Sequence, residues 1–284
     1  MPVNESPTPG PRVLLSGIAL GESPRWHDGR LWFADWGAHE LIAIGPDNKS
    51  EVVMRVPSFL FCIDWLPDGR LLVMAGSDGL LLRQEPDGAL VIHADLTGIS
   101  RYPWNDIAVD SRGNAYVNNI NFNFPSGQFT PGVLAVVSPD GAARQVADGL
   151  AFPNGMVVTP DDSTLIVAES YGNRLTAFDI EADGGLSNRR VWAELGNDAP
   201  DGICLDTEGA IWYADVPNRH CVRVREGGAV AQTVTLDRGC FACALGGMDR
   251  TTLFMVAAKF PDAMTSQERT GQVLAVEVAV PGAG

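Results

Sequence analysis

The sequence is poor in lysine and contains no long apolar run. Two of its twenty basic residues are lysines, Lys49 and Lys259, and the formal net charge at pH 7 is −15. A protein that follows the phosphates of a nucleic acid needs a dense positive surface, so the composition argues against a nucleic-acid partner. No window approaches the roughly twenty apolar residues of a membrane-spanning helix, so we predict no membrane partner.

The start of the chain lacks the pattern of a secretory signal. Residues 1–11 are polar and contain prolines, without a cationic stretch followed by an apolar run. We therefore predict a flexible N-terminal segment over 1–11 and a cytoplasmic protein, either a monomer or a weak homo-oligomer. The five cysteines are an odd number without zinc-finger spacing, which indicates reduced thiols rather than a disulfide framework. They are Cys62, Cys204, Cys221, Cys240 and Cys243.

Several short catalytic and nucleotide-binding motifs are also absent. No G-x-S-x-G, H-E-x-x-H, G-x-G-x-x-G or G-x-x-x-x-G-K-[ST] occurs. For the four histidines, which show no ligand-like spacing, we predict structural or solvated roles. They are His27, His39, His93 and His220. Chemistry in this chain must therefore come from another kind of site.

A short phrase returns six times along the chain: an acidic or polar residue, a few apolar positions, a turn of the Asp-Gly type and then a strand. The corresponding turn positions are Gly29, Gly69, Gly113, Ser163, Gly209 and Thr251. Their separations range from 40 residues, between Gly29 and Gly69, to 50 residues, between Gly113 and Ser163. A period of this size built from strands predicts a β-propeller with one four-stranded blade per repeat.

The strand pattern predicts an all-β chain whose ring is closed by its two ends. Apolar residues alternate or cluster in short runs that Gly or Pro interrupts, and helical periodicity is nearly absent. In the fourth copy the predicted strands are Gly155 to Thr159, Thr164 to Glu169, Arg174 to Ile180 and Arg190 to Leu195. The sixth copy has only three such runs, and Arg12 to Gly17 has the right length to be its missing outer strand. We predict a single six-bladed β-propeller domain over 12–284, closed by pairing of this N-terminal strand with the last blade.

One position of the repeat holds side chains that are candidates for a functional site. The first strand of each blade lines the central channel of a propeller, and the residue at its start lies at one mouth. The six copies carry Glu22, Cys62, Asn105, Asn154, Asp201 and Cys243 or Ala244 at this position. Any single Asn or Asp there is readily explained as a turn former. Two carboxylates and two amides at equivalent positions of a ring, however, point toward one another, and converging carboxylates repel unless a cation joins them.

This set of oxygen donors suits a hard divalent ion. We predict one such metal ion, preferably Ca²⁺, with Mg²⁺, Zn²⁺ or Mn²⁺ as alternatives. An ion with open positions polarises a carbonyl, stabilises an oxyanion and acidifies a bound water. The predicted reaction is hydrolysis of a small-molecule lactone, in which Asp201 takes the proton of the attacking water. Phosphotriester hydrolysis at the same ion and a non-catalytic calcium-binding propeller remain as alternatives.

The residues around these donors resemble the gluconolactonase family, the regucalcin-like lactonases also called senescence marker proteins. The motifs are Gly21-Glu22-Ser23-Pro24-Arg25-Trp26, Asn105-Asp106, Phe152-Pro153-Asn154-Gly155-Met156 and Pro200-Asp201-Gly202-Ile203. The resemblance spans the chain from about Arg12 to Val280 and implies a six-bladed propeller that hydrolyses sugar lactones. It further implies one divalent metal held by Glu22, Asn154 and Asp201, with Asp201 as the acid-base residue. Asn105 is implied as a substrate or water contact, with Asp106 beside it.

The chain departs from the sugar-lactone members at the predicted substrate contact. Those members carry an Arg two residues before the channel Asn, whereas here Tyr102-Pro103-Trp104 separates Arg101 from Asn105. We predict that Arg101, Asn105 and Asp106 contact substrate. The segment 118–124 is rich in amides and aromatic rings where such members often carry a Glu. A rim of this composition favours a flatter or less hydroxylated lactone.

Overall fold

The regular structure of the chain consists of β-strands alone. A computed structural model describes residues 10–261 and 268–283, and the elements within these ranges are twenty-four strands, β1 to β24. Most of the predicted N-terminal segment 1–11 lies outside the described residues. Within the described ranges we find no helix with the length and apolar character needed to cross a bilayer. The prediction of an all-β chain is confirmed.

The strands form six antiparallel sheets of four, which are the blades of a six-bladed propeller. Blade 1 consists of β2 (Gly21–His27), β3 (Arg30–Asp35), β4 (Glu40–Ile44) and β5 (Ser50–Arg55). Blade 2 consists of β6 (Phe61–Trp65), β7 (Leu71–Ala75), β8 (Leu80–Gln84) and β9 (Leu90–Asp95). Blade 3 consists of β10 (Trp104–Val109), β11 (Ala115–Asn119), β12 (Gly132–Val137) and β13 (Ala143–Leu150). Blade 4 consists of β14 (Pro153–Val158), β15 (Thr164–Glu169), β16 (Arg174–Ile180) and β17 (Leu186–Glu194). Blade 5 consists of β18 (Pro200–Leu205), β19 (Ile211–Asp215), β20 (His220–Val224) and β21 (Val230–Thr235). Blade 6 consists of β22 (Gly239–Gly246), β23 (Thr252–Ala258), β24 (Gly271–Glu277) and β1 (Arg12–Ile18).

The ring is closed as the sequence predicts. The first strand of each blade contacts the first strands of both neighbouring blades, including β22 against β2. Strand β1 pairs antiparallel with β24, with Arg12 opposite Ala275 and Ile18 opposite Gly271. The outer strand of blade 6 therefore comes from the start of the chain. Its hydrogen bonds to β24 join the first repeat to the last and close the ring.

The strand boundaries in blade 4 differ from the prediction at both ends. Strand β14 begins at Pro153 rather than Gly155, and β17 begins at Leu186 rather than Arg190. The hairpin before β17 is short, because the amide of Gly184 donates to Glu181 O at 2.9 Å. The polar residues that follow this turn belong to a solvent-facing outer strand, which explains why their sequence has the character of a loop.

The core is divided among the six interfaces between blades. Each of six buried apolar clusters draws mainly on one pair of neighbouring blades, so that every interface has its own cluster. A sheet packed between two others is apolar on both faces, and β22 and β23 are accordingly buried along their whole length. Outer strand β5, in contrast, is mostly exposed. Burial on both faces holds the inner strands, and hence the channel, in place.

Three blades end their second strand in a buried carboxylate. Asp35, Glu169 and Asp215 lie opposite the first residue of β2, β14 and β18, respectively. Each accepts a hydrogen bond from a backbone amide just before that first strand. The donors are Leu20 N at 3.1 Å, Ala151 N at 2.6 Å and Ala199 N at 2.9 Å. These carboxylates fix the chain that leads into the strands carrying Glu22, Asn154 and Asp201.

We expect Glu169→Gln to lower the free energy of unfolding at pH 7 by about 2–3 kcal/mol, because it breaks a buried charged network. The Glu169 carboxylate is fully buried and accepts hydrogen bonds from Arg174 and Arg189, each at 3.1 Å. Burial by itself raises the pKa of Glu169, but the hydrogen bonds from Arg174, Ala151 and Thr176 outweigh it and hold the pKa below the ordinary 4.5. Its stabilisation is therefore present above pH 4.5 and is lost as the pH falls through the lower folded-state pKa.

Urea unfolding of both proteins at pH 7 and at several values below 4.5 tests this expectation. The difference between wild type and Glu169→Gln should narrow as the pH falls. Glu51→Gln is the matched control, because Glu51 pairs with Arg30 at an exposed site and should cost less than about 1 kcal/mol. An equal loss in the two variants, or a difference that does not change with pH, would contradict the assigned role of Glu169.

Candidate active site

A small cavity lies at the channel mouth where the first strands of the blades begin. Its lining includes Glu22, Asn105, Asp106 and Asn154, together with Gly202 and Ile203, which follow Asp201 in the chain. Its volume, about 10 Å³, is close to what a single water molecule requires. Residues from blades 1, 3, 4 and 5 thus converge on a space of atomic size.

Of the three predicted metal ligands, Glu22 and Asn154 line this cavity and Asp201 interacts with both. Hydrogen bonding to the Asn154 side chain and the charge of Glu22 both act on Asp201. Burial, the charge of Glu22 and that of Asp106 raise the pKa of Asp201 well above its usual range. Burial, and then the charge of Asp106, raise the pKa of Glu22 to about 8. Their assignment as metal ligands stays a prediction.

Amide side chains connect blades 3 and 4 at the cavity wall. The Nδ2 atom of Asn105 donates to Oδ1 of Asn154 at 3.1 Å, and Nδ2 of Asn154 donates to the Ser170 hydroxyl at 3.3 Å. Asn118, on the second strand of blade 3, donates to the Asn154 backbone oxygen at 2.6 Å. The Oδ1 atom of Asn118 is buried without a hydrogen-bond partner. An unpartnered buried acceptor favours a cation or a donor group nearby, since leaving it unpaired costs about 1–3 kcal/mol.

Beneath the cavity, an ion pair links blades 1 and 3. The Arg25 guanidinium donates to Asp106 at 3.2 Å, to the Ile107 backbone oxygen at 2.7 Å and to the Pro24 backbone oxygen at 3.0 Å. The other oxygen of Asp106 accepts the Met156 amide of blade 4 at 2.9 Å. Asp106 therefore anchors Arg25 and supplies negative charge to the cavity floor, and its contact with substrate stays a prediction.

The charge balance around the cavity favours an added cation. Besides Glu22, Asp106 and Asp201, the Asp64 carboxyl interacts electrostatically with Arg25, and burial raises the pKa of Asp64 to about 6. Glu22, Asp64 and Asp106 each interact electrostatically with Arg25, and the Asp201 carboxyl interacts with Glu22 and Asp106. Without a further positive charge, mutual repulsion favours protonation of the carboxyl groups. The donor set of carboxylate and amide oxygens is the kind that Ca²⁺ and Mg²⁺ prefer.

Arg101 lies away from this cavity. It is exposed, and its guanidinium donates to the Tyr102 hydroxyl at 3.1 Å and lies 5.1 Å from the centre of the Tyr102 ring. Neither residue lines the cavity. The structure therefore does not bring Arg101 to the other predicted site residues, and its role in substrate binding stays a prediction.

The equivalent position in blade 6 is a phenylalanine, which corrects the expected Cys243 or Ala244. The pairs that fix the register are Cys243 with Met255 in blade 6 and Ile203 with Tyr213 in blade 5. Two residues before Ile203 stands Asp201, and two residues before Cys243 stands Phe241. Blade 6 has one further strand pair beside its turn, Gly246 with Thr252, where blade 5 ends at Leu205 with Ile211, and this changes the count of residues back from the turn. Blades 2 and 6 therefore contribute Cys62 and Phe241, and the oxygen donors come from the other four blades.

A second group of titratable side chains lies at the end of blade 5. Asp198, Asp215 and His220 approach one another closely enough to share an ion. Hydrogen bonds already engage them: the Tyr213 hydroxyl donates to Asp198 at 2.6 Å, and Asn218 donates to Asp215. His220 lies 3.0 Å from Asp198. This arrangement fits the structural role predicted for His220.

Comparison with known proteins gives the chain its relatives. The family model described as the SMP-30/gluconolactonase/LRE-like region matches residues 20–259. Rabbit regucalcin is 24% identical over 277 residues, which are 93% of this chain and 92% of that protein. The 6-deoxy-6-sulfogluconolactonase of Pseudomonas putida is 24% identical over 279 residues, 95% of each chain. The solved structure of the calcium-binding protein regucalcin from Agrobacterium tumefaciens has a TM-score of 0.80 at 22% identity, covering 97% of this chain and 95% of its own.

Proposed function

The chain belongs to the SMP-30/gluconolactonase/LRE-like family, and on this premise we propose that it is a metal-dependent hydrolase that opens a small lactone in the central channel. The observation that supports the proposal is that Glu22 and Asn154 line one cavity and that Asp201 interacts with both of them. A relative named 6-deoxy-6-sulfogluconolactonase supports lactone opening as the reaction class.

Glu22, Asn154 and Asp201 would hold the divalent ion. Ca²⁺ is the proposed ion because the donors are all oxygens and a solved relative is described as a calcium-binding protein. The raised pKa values of Glu22 and Asp201 support this assignment, since a cation relieves the repulsion that raises them. When bound, such an ion polarises the lactone carbonyl and makes water more acidic.

The chain's own residues handle the proton and the substrate. An oxygen of the Asp201 carboxylate takes the proton from the water that attacks the lactone carbonyl. The same oxygen returns this proton to the ring oxygen when the acyl C–O bond breaks, so that one lactone and one water give one hydroxy acid. Asn105, fixed by its hydrogen bond to Asn154, orients the substrate or the water. The ion pair between Arg25 and Asp106 keeps the floor of the site rigid.

Release of acid from a panel of lactones tests the proposed reaction. Metal-stripped protein should show no hydrolysis above the spontaneous background, and added Ca²⁺, Mg²⁺, Zn²⁺ or Mn²⁺ should restore turnover of at least one lactone. The panel contains glucono-δ-lactone, δ-valerolactone and dihydrocoumarin, with the phosphotriester paraoxon as the competing substrate. Turnover of paraoxon alone would assign phosphotriester hydrolysis instead. Tight metal binding without turnover of any substrate would indicate a non-catalytic calcium-binding propeller.

A further inference from the structure

Five aromatic side chains form one connected surface, here called the aromatic rim. Its members are Phe122, Phe124, Phe129, Phe152 and Tyr171. Their ring centres lie between 4.7 Å apart, for Phe152 and Tyr171, and 6.4 Å apart, for Phe122 and Tyr171. Each ring contacts at least two others in tilted or edge-to-face arrangements, which are the favoured geometries of aromatic pairs.

Much of the aromatic rim faces solvent. Phe124, Phe129 and Tyr171 are 37%, 44% and 53% exposed, whereas Phe122 is 4% exposed and anchors the group. A contiguous exposed cluster of large apolar rings is uncommon on a soluble protein and indicates a binding surface. The described residues thus leave an aromatic face open to a ligand.

The aromatic rim adjoins two candidate metal ligands. Phe152 precedes Asn154 by two residues, so their Cα atoms are at most about 7.6 Å apart. Tyr171 directly follows Ser170, whose hydroxyl accepts a hydrogen bond from Asn154 at 3.3 Å. The same hydroxyl donates at 2.7 Å to the backbone oxygen of Pro200, the residue before Asp201. Short links along the chain and through the Ser170 hydroxyl thus join Phe152 and Tyr171 to the segments that carry Asn154 and Asp201.

The position of Phe152 is maintained against its backbone preference. Its φ is +62°, in the left-handed region where a bulky residue is strained and glycine is favoured. Three backbone hydrogen bonds hold the segment: Phe152 N to Leu150 O at 3.1 Å, Ser170 N to Phe152 O at 3.0 Å and Tyr171 N to Ala151 O at 3.0 Å. An aromatic ring retained in a strained conformation at the edge of the site points to a role for that ring.

The rim offers little to a polyhydroxylated substrate. Its five members include one hydroxyl group, that of Tyr171, and the guanidinium of Arg101, the predicted hydroxyl contact, is already engaged by the hydroxyl and the ring of Tyr102. Aromatic faces instead bind flat rings and alkyl groups through buried apolar area. We propose that the aromatic rim is a specificity subsite for an aromatic or alkyl substituent on the lactone, so that apolar-substituted lactones are preferred over sugar lactones. This inference rests on the proposed lactonase function.

Steady-state rates on three lactones test the subsite. δ-Nonalactone carries a butyl substituent on the ring of δ-valerolactone, and glucono-δ-lactone carries hydroxyl groups. We expect the wild type to have kcat/KM for δ-nonalactone at least about tenfold above that for the other two lactones. In Phe129→Ala and Tyr171→Ala, kcat/KM for δ-nonalactone should exceed kcat/KM for δ-valerolactone by about threefold or less. Ile92→Ala, which removes an apolar side chain that is 63% exposed from outer strand β9, should retain the wild-type ratio.

Several outcomes would overturn the proposal. A preference for glucono-δ-lactone, or a ratio that Phe129→Ala and Tyr171→Ala leave unchanged, removes the subsite while the lactonase function stands. If the two variants change only the oligomeric state seen by light scattering, the rim is a contact between copies of the chain and the proposal fails.

A binding measurement keeps the subsite testable if no lactone is hydrolysed, a result that would refute the proposed function alone. Calorimetry compares 6-butyl-δ-valerolactam, a ring that resists hydrolysis, with δ-valerolactam. Binding of the butyl compound at least about tenfold tighter in the wild type, lost in Tyr171→Ala but kept in Ile92→Ala, supports the subsite. Equal affinities for the two lactams overturn it.

Discussion

Asp201→Asn should lower kcat/KM for lactone hydrolysis by about 10²–10⁴-fold, the range expected for loss of a general base, while the propeller remains folded. Asparagine keeps an oxygen at the candidate metal position but cannot take a proton from water. The substitution should also stabilise the metal-free protein, because it removes a carboxyl group whose pKa is raised by burial and by Glu22. Activity and metal-free stability should therefore change in opposite directions.

Rates with saturating metal and thermal unfolding without metal measure the two effects together. Asp237→Asn is the control, since the Asp237 side chain is 70% exposed in the connection between β21 and β22 and should leave both quantities near the wild type. Added Ca²⁺ should raise the melting temperature of the wild type more than that of Asp201→Asn, because one charged ligand is missing. Wild-type activity in Asp201→Asn would end the proposed mechanism.

Arg25→Met should have the second large effect, on stability. Removing the guanidinium leaves Asp106 without its ion-pair partner and two backbone oxygens without their donor. We expect the metal-free protein to lose about 3 kcal/mol, the lower end of the range for breaking a buried pair. Saturating Ca²⁺ should restore part of this loss, because positive charge again offsets the clustered carboxylates.

Urea unfolding with and without Ca²⁺ measures the contribution of Arg25. The control is Arg30→Met in the next strand, whose arginine pairs with the exposed Glu51 and should contribute less than about 1 kcal/mol. Arg25→Lys should fall between the wild type and Arg25→Met, because lysine keeps the charge but not the forked set of donors. Equal stability of Arg25→Met and Arg30→Met would show that the link between blades 1 and 3 is unimportant.

The repeat and the ring closure could be predicted because their signals are local. Each turn and its strand lie within a few residues, and the run from Arg12 to Gly17 supplied the one strand that the sixth copy lacked. Register inside the first strands was harder to predict. In blade 6 the additional strand pair of Gly246 with Thr252 lengthens the hairpin, so the channel position falls on Phe241, which a fixed count back from the turn does not detect.

The surroundings of the site depend on distant contacts. The repeat placed Glu22, Asn105, Asn154 and Asp201 at one position, and the family resemblance implied three of them as metal ligands, but neither gave a separate role to Arg25. That arginine bonds to Ile107, 82 residues further along the chain, and no local pattern encodes such a pair. The direction of Arg101 toward Tyr102 is likewise decided by the fold of its loop. The metal ion and the natural lactone stay predictions.

The pairing of β1 with β24 sets the order in which the protein can be completed. Blade 6 combines β1, which precedes the other five blades in the sequence, with β22 to β24, which follow them. Until β24 has left the ribosome, blade 6 is incomplete, and the ring stays open between blade 1, which carries Glu22, and blade 5, which carries Asp201. All the candidate ligands are therefore synthesised before the ring can close. The candidate site is complete only when β24 has paired with β1.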